Sequence, residues 1–206
     1  MALFFRTPSI FPLLYPRLTW RMPAVEKKIY LTFDDGPVPG TTPFVLEQLK
    51  KFNARATFFC IGQNVIKHRA EFNQVLEAGH AVGNHTFNHV RGWGSSSEAY
   101  YQDVEKCREV VGNTPLFRPP YGRITRAQID RLNDYRIFMW DVLSFDYSSA
   151  ISQERCLRGT IQAVRPGSIV VFHDSYKAEK NMAFTLPRFL DHFSERGFQF
   201  ETLHNG

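Results

Sequence analysis

A chain of 206 residues with 43% hydrophobic side chains is long enough for one sizeable core, and no Gly/Ser linker, charge block or internal repeat divides it. Its formal charge of +5 comes from scattered Lys and Arg, which speaks against a nucleic-acid footprint and allows an anionic polymer as partner without demanding one. Cys60, Cys107 and Cys156 are odd in number, widely spaced and without a C-x-x-C, so a disulfide framework and a zinc-thiolate site are both disfavoured and buried, reduced thiols are expected.

Residues 1–27 form an N-terminal arm, opening MALFFRTPSIFPLLYPRLTWRMP, whose apolar and aromatic run is interrupted by Arg6, Pro8, Pro12, Pro16 and Arg17. It lacks the continuous apolar stretch and small-residue cleavage site of a signal peptide, and the roughly 20 apolar residues of a membrane span. The arm is expected to pack its aromatics on the domain or to attach loosely to a membrane surface. The corresponding expectation for location is the cytoplasm or the periphery of a membrane.

From residue 28 to 206 apolar β-type runs alternate with amphipathic segments in a single domain. Strands are predicted at 28–33, 56–60, 80–83, 116–118, 136–142, 168–172 and 198–203, and helices at 42–53, 64–78, 96–112, 125–133, 152–164 and 183–196. The alternation predicts a parallel sheet with helices outside, one unit short of an eightfold α/β barrel. A distorted, incomplete (β/α) barrel of about seven parallel strands is the first choice and an open doubly wound sheet the second. Both place ligands at the carboxyl ends of strands.

The polar groups fit that rule. YLTFDDGPVPG ends the first strand with Asp34 and Asp35, two adjacent carboxylates that need a cationic partner unless they are merely a solvated acidic turn. GNHTFNH places His85 and His89 after the third strand, FRPPYG places Arg118 at the end of the fourth, WDVLSFDY places Asp141 and Asp146 at or beyond the fifth, and IVVFHD places His173 after the sixth. The four-residue separation of His85 and His89 suits two side chains on one helical turn aimed at one ion. With one carboxylate they suggest a two-His, one-carboxylate metal site with open positions, for which zinc is the first choice and cobalt, nickel, manganese or iron the alternatives. The second carboxylate is free to act as a base, His173 is a candidate acid, and Arg118 is placed to orient a carboxylate. His68, His80, His192 and His204 have no matched partner and are expected to be structural. The polar stretch DSYKAEKN after His173 reads as an exposed loop, either a lid or simply solvated.

TFDDGP, HTFNH, RPPYG, DVLSFDY and VFHD, in this order, resemble the motifs of the polysaccharide deacetylases of the NodB homology type, carbohydrate esterase family 4, over a span from about Lys28 to the C-terminus. The resemblance implies a distorted β/α barrel that removes N-acetyl groups from N-acetylglucosamine polymers such as chitin oligomers or peptidoglycan. It implies Asp34 as general base, Asp35, His85 and His89 as metal ligands, Arg118 as the residue holding the base, and His173 as the acid. It puts the Tyr121 amide N–H on the oxyanion and Pro119, Trp140 and Val171 on the substrate side. Two motifs depart from the pattern. In the fourth, Trp140 and Val142 fit, but Leu143 stands where an Asp is expected and Tyr147 where a Trp is; Asp146 matches the residue paired with the catalytic histidine, with Asp141 as substitute. In the fifth, Val171 replaces a leucine. Trp93, in RGWGSS, is a candidate replacement platform for the sugar ring.

The function expected is therefore metal-dependent N-deacetylation of an acetylated amino sugar by a monomer, with no nucleic acid and no transmembrane segment. The rivals are an amidase or esterase acting on a small or lipid-linked acylated sugar, and a catalytically inactive carbohydrate-binding protein.

Overall fold

The computed structural model describes residues 4–24 and 26–203, and within them the predicted apolar runs pair in one parallel sheet. Its strands are β1 (Lys28–Asp34), β2 (Ala56–Cys60), β3 (Ala81–Asn84), β4 (Leu116–Phe117), β5 (Arg136–Ile137), β6 (Val142–Leu143), β7 (Ile169–His173) and β8 (Gln199–Phe200). They lie in the order β5-β4-β3-β2-β1-β7-β6, with β8 added at the start of β1. The helices are α1 (Ile10–Leu14) in the arm, then α2 (Thr41–Lys51), α3 (Gly62–Lys67), α4 (Arg69–Glu77), α5 (Ser97–Val111), α6 (Arg126–Arg131), α7 (Gln153–Ala163) and α8 (Glu179–Ser194).

Side-chain alternation along β1 separates two cores. Ile29, Leu31 and Phe33 pack with Leu49 of α2 and Phe189 and Leu190 of α8 on the helix side, where Phe33 stacks on Phe58 at 5.0 Å and faces Phe172 at 6.1 Å. Tyr30 packs on the other face with Phe59, Phe138 and Ile169. Thr32 and Asp34 share that inner parity, so the polar end of β1 points where the barrel encloses it.

The expected strand at 136–142 is divided because the segment changes partner midway. Ile137 pairs with Phe117 and Phe138 N–H still donates to Phe117 O, whereas Asp141 N–H donates to Ile169 O and Val142 pairs with Val170. One extended segment thus belongs to both edges of the sheet and brings them together, which is the distortion of the barrel. The arm fills the change-over: Met139 N–H donates to Thr19 O, Thr19 N–H to Ile137 O, and Leu143 N–H to Phe5 O. Phe5 also sits where a Cβ on Gly159 would come within 2.4 Å of its ring, so this aromatic of the arm packs on the domain. Phe4, Ile10, Leu13 and Leu14 remain exposed, and no helix among the described residues is long and apolar enough to cross a membrane.

The single helix expected at 64–78 is two, α3 and α4, broken at His68 with φ −126° and ψ 50° and no Gly or Pro to mark the break. The loop expected after His173 is shorter than its polarity suggests, because α8 begins at Glu179 and buries Asn181. His80 is buried and its Nδ1 accepts the Ala56 N–H, a structural role, and His204 lies outside the described residues. All three cysteines are free and buried, and burial pushes the Cys107 and Cys156 thiols up to about 12.

Candidate active site

The carboxyl ends of β1 and β7 are in register, Asp34 beside His173, so two chemically reactive side chains share one rim by strand pairing alone. Asp34 faces a fully buried arginine: Arg118 Nη1 donates to Asp34 Oδ1 at 2.7 Å and to Thr32 Oγ1 at 2.7 Å. The rest of that guanidinium is spent on Phe138 O and Met139 O, and its Cζ lies 4.2 Å from the Phe59 ring centroid. The position of Asp34 Oδ1 is thereby set by an anchored cation, and Asp34 Oδ2 is left for other chemistry.

Asp35 turns the other way because its φ is +77°, an unusual value for a residue other than glycine. The turn is pinned by Asp174, whose Oδ1 accepts the Gly36 N–H at 3.1 Å and whose Oδ2 accepts the Thr42 hydroxyl at 2.6 Å. A Cβ on Gly36 would fall 2.0 Å from Asp174 Oδ2, so glycine is required there. Burial pushes the Asp174 carboxyl up to about 8 despite these donors.

His85 and His89 do converge, but not on a helical turn. They occupy a loop after β3 in which Thr86 (φ +63°) and His89 (φ +55°) are left-handed, a strain of order 1–3 kcal/mol per residue. The loop is held by Asn84 Oδ1, which accepts Thr86 N–H, by Thr86 Oγ1, which accepts Val90 N–H, and by Asp103 of α5, whose Oδ1 accepts the Phe87 and Asn88 N–H groups. His85 Nδ1 bonds Arg118 O at 2.7 Å, which turns Nε2 toward Asp35. Burial holds the His85 imidazole down at about 4 against the pull of Asp34, so its Nε2 keeps a lone pair at neutral pH. Burial would raise the Asp35 carboxyl, but the His89 hydrogen bond and the charges of His173 and His85 outweigh it, and the group stays below the usual carboxylate range.

The three donor atoms suit one ion. His89 Nε2 and His85 Nε2 lie 3.1 and 3.7 Å from Asp35 Oδ1, and all three are within 4.8 Å of one another. Donors about 2.0–2.1 Å from a tetrahedral ion are about 3.4 Å apart, so the set needs only small shifts to close.

On the other wall His173 Nδ1 meets Asp146 Oδ1 at 2.7 Å, while Asp146 Oδ2 accepts the His173 backbone N–H at 2.8 Å. Asp146 is itself placed by Asn181 of α8, whose Nδ2 donates to Asp146 O and Ser148 O. Asp141 is not the substitute partner: it is taken by Arg165 at 2.9 Å and the Ser168 hydroxyl at 2.6 Å. Burial lowers the His173 imidazole, but the Asp146 charge and hydrogen bond, aided by Asp35 and Asp34, carry it up to about 9. In the metal-free protein, the stabilisation from this pair is complete below the ordinary value of 6.5 and fades as the pH rises through about 9. The stability lost in Asp146→Asn is accordingly expected to be larger at about pH 6 than at about pH 10 in urea unfolding, and equal losses would contradict the pairing.

These walls enclose a cleft of about 480 Å³ lined by Asp34, Asp35, His85, His89, Tyr121, Arg123, Trp140, Leu143, Tyr147, Val171, His173 and Lys177. Of the residues expected on the substrate side, Tyr121, Trp140 and Val171 line this cleft, whereas Pro119 is buried and does not, its O accepting Gly122 N–H. Tyr121 has φ +59°, and its hydroxyl lies 3.2 Å from His89 Nδ1. Tyr147 packs edge-on against His173 at 4.9 Å, in the place expected of a Trp, and Leu143 adds an apolar wall. Trp93 does not line the cleft. Sequence reasoning missed Thr32, Asp103, Asp174 and Asn181, all of which act on other site residues; Thr32 and Asp174 lie inside quoted motifs, which was the available signal.

Comparison with known proteins gives both sequence and fold matches. The family model described as polysaccharide deacetylase matches residues 21–140. A peptidoglycan-N-acetylglucosamine deacetylase of Bacillus cereus is 34% identical over 194 residues, covering 90% of this chain and 91% of the relative. A chitooligosaccharide deacetylase of Azorhizobium caulinodans is 36% identical over 157 residues, 72% of this chain and 74% of the relative. Another relative, PgdA of Listeria monocytogenes, is a longer protein of which the chain spans 38%. Among solved structures, the Bc1960 peptidoglycan N-acetylglucosamine deacetylase superposes with a TM-score of 0.88 at 26% identity over 96% of this chain and 95% of that one. The peptidoglycan deacetylase PdaC of Bacillus subtilis gives 0.79 at 26% identity, covering 88% and 90%.

Proposed function

Because the chain belongs to the polysaccharide deacetylase family, we propose that its cleft hydrolyses the N-acetyl group of N-acetylglucosamine units in a polysaccharide or oligosaccharide, with zinc as the ion at Asp35, His85 and His89. The observation that carries the reading is the meeting of three separately anchored devices in one cleft: Arg118 with Asp34, the Asp/His/His cluster, and Asp146 with His173. A divalent ion in that cluster would supply Lewis-acid chemistry, polarising a carbonyl and acidifying water.

The chain's own residues do the rest. Asp34, oriented through Oδ1, takes a proton from the attacking water at Oδ2. The Tyr121 backbone N–H, turned by the left-handed φ, donates to the oxygen on which negative charge develops. His173, whose imidazolium form is favoured by the Asp146 carboxylate held at Nδ1, delivers the Nε2 proton to the departing amine. Val171, Leu143 and Trp140 give the acetyl methyl and the sugar an apolar wall that excludes water. One chain carries every group named, which supports action as a monomer. A binding-only role needs neither base nor acid.

Acetate release from N-acetylglucosamine oligomers of increasing length, compared with acylated monosaccharides and small esters, tests the proposal. Higher kcat/KM on the longer chains is expected; faster hydrolysis of small esters with none on the oligomers would overturn it.

A further inference from the structure

Beyond the Tyr121 ring the cleft opens into a second hollow of about 380 Å³, lined by His89, Arg91, Tyr121 and Arg123, three of which also line the main cleft. Arg91 and Arg123 are exposed, and among the described residues neither guanidinium forms an ion pair. The fold sets a carboxylate against Arg17, Arg108, Arg118, Arg131, Arg165 and Arg196 and backbone carbonyls against Arg6, Arg21, Arg55, Arg69 and Arg188; what distinguishes Arg91 and Arg123 is that both line this hollow beside the catalytic cleft. Their backbones are also tied together. Gly92 N–H donates to Arg123 O at 2.8 Å, and the buried Gln128, part of the capping box of α6, donates to Gly92 O at 2.9 Å. A Cβ on Gly92 would lie 2.6 Å from Arg123 O and 2.4 Å from Gln128 Oε1, so only glycine lets the two loops touch. Trp93, tethered by Nε1 to Ile124 O at 3.2 Å, presents its ring 5.4 Å from the Arg123 guanidinium and supports the arginine instead of the sugar.

Two guanidinium groups on loops strapped to each other, lacking acidic partners and opening onto a catalytic cleft, form a site for an anion, and the planar fork suits a carboxylate. We infer that this hollow is a subsite for a carboxylate on the sugar next to the one deacetylated, and that the chain prefers acidic amino-sugar chains to neutral ones. The inference rests on the deacetylase reading above. It gives the chain's positive charge a local use that its scattered sequence positions do not show.

The test uses one acidic glycan oligomer of alternating N-acetylglucosamine and N-acetylmuramic acid, before and after its carboxyls are converted to methylamides, with a neutral N-acetylglucosamine oligomer of equal length as reference. In the wild-type protein, masking is expected to raise KM about tenfold with kcat changed less than about twofold. In Arg91→Ala/Arg123→Ala the KM ratio between the two forms should collapse toward one, and in the Arg91→Lys/Arg123→Lys variant it should recover in part. Lys50→Ala/Lys51→Ala, which removes the same charge from α2, should keep the wild-type ratio. Equal KM for masked and free forms in the wild type, or equal loss of preference in the lysine variant, would overturn the subsite while turnover of the neutral oligomer leaves the deacetylase reading standing. Failure to deacetylate any of the three glycans would overturn both.

Discussion

Replacing Asp34 by asparagine is expected to lower kcat by about 10²–10⁴ while leaving metal content unchanged. The introduced carboxamide keeps an oxygen for Arg118 to grip, and Asp34 contributes none of the three donor atoms of the metal cluster, so the change removes proton acceptance without touching the ion's ligands. The expected signature is a protein that unfolds at lower urea than the wild type, because the buried Arg118 loses its counter-charge, yet retains zinc after dialysis and releases acetate far more slowly at saturating substrate. Asp35→Asn should differ: it weakens the ion's hold, so part of its activity should return at high zinc. If Asp34→Asn were also rescued by zinc, the assignment of base and ligand between these neighbours would be reversed.

Arg118→Met is expected to be the most destabilising single change in the site. It leaves the Asp34 carboxylate buried without its cation, a situation that costs about 3–5 kcal/mol, and it orphans acceptors at Phe138 O and Met139 O. The buried pair as a whole contributes far less than breaking it costs, since two charges must leave water to form it. Asp34→Leu/Arg118→Met is therefore expected to unfold at higher urea than Arg118→Met alone, although it is inactive. Chemical denaturation of the three proteins settles the point: a single variant within about 1 kcal/mol of wild type would mean that the guanidinium does not neutralise Asp34.

What the chain discloses before folding depends on whether a feature is local. The strand ends were legible because β1, β2 and β7 are short apolar runs with turn residues after them, and the rule that ligands gather at carboxyl ends then brought Asp34, His85, Arg118 and His173 to one rim. The segment 136–143 was not, since its switch from β4 to β7 depends on partners and leaves no mark in its own residues. Nor was the break at His68. The spacing of His85 and His89 suggested a helical turn, yet the loop reaches the same convergence with two left-handed residues stabilised by Asn84 and by Asp103 on a distant helix. In the substituted fourth motif Tyr147 lies edge-on to His173 where an indole was expected, and Asp146 pairs with the histidine. Supporting groups such as Thr32, Asp174 and Asn181 act across the fold, which is why sequence alone does not assign them.

The most direct measurement is a zinc titration of metal-stripped protein in which bound metal and acetate release from an N-acetylglucosamine oligomer are followed on the same samples, with His85→Ala and His89→Ala in parallel. Activity is expected to rise in proportion to bound zinc and reach its plateau at one equivalent, with both histidine variants losing tight binding and turnover together. Full activity in stripped protein, or a histidine variant that binds no zinc and still turns over, would contradict that expectation.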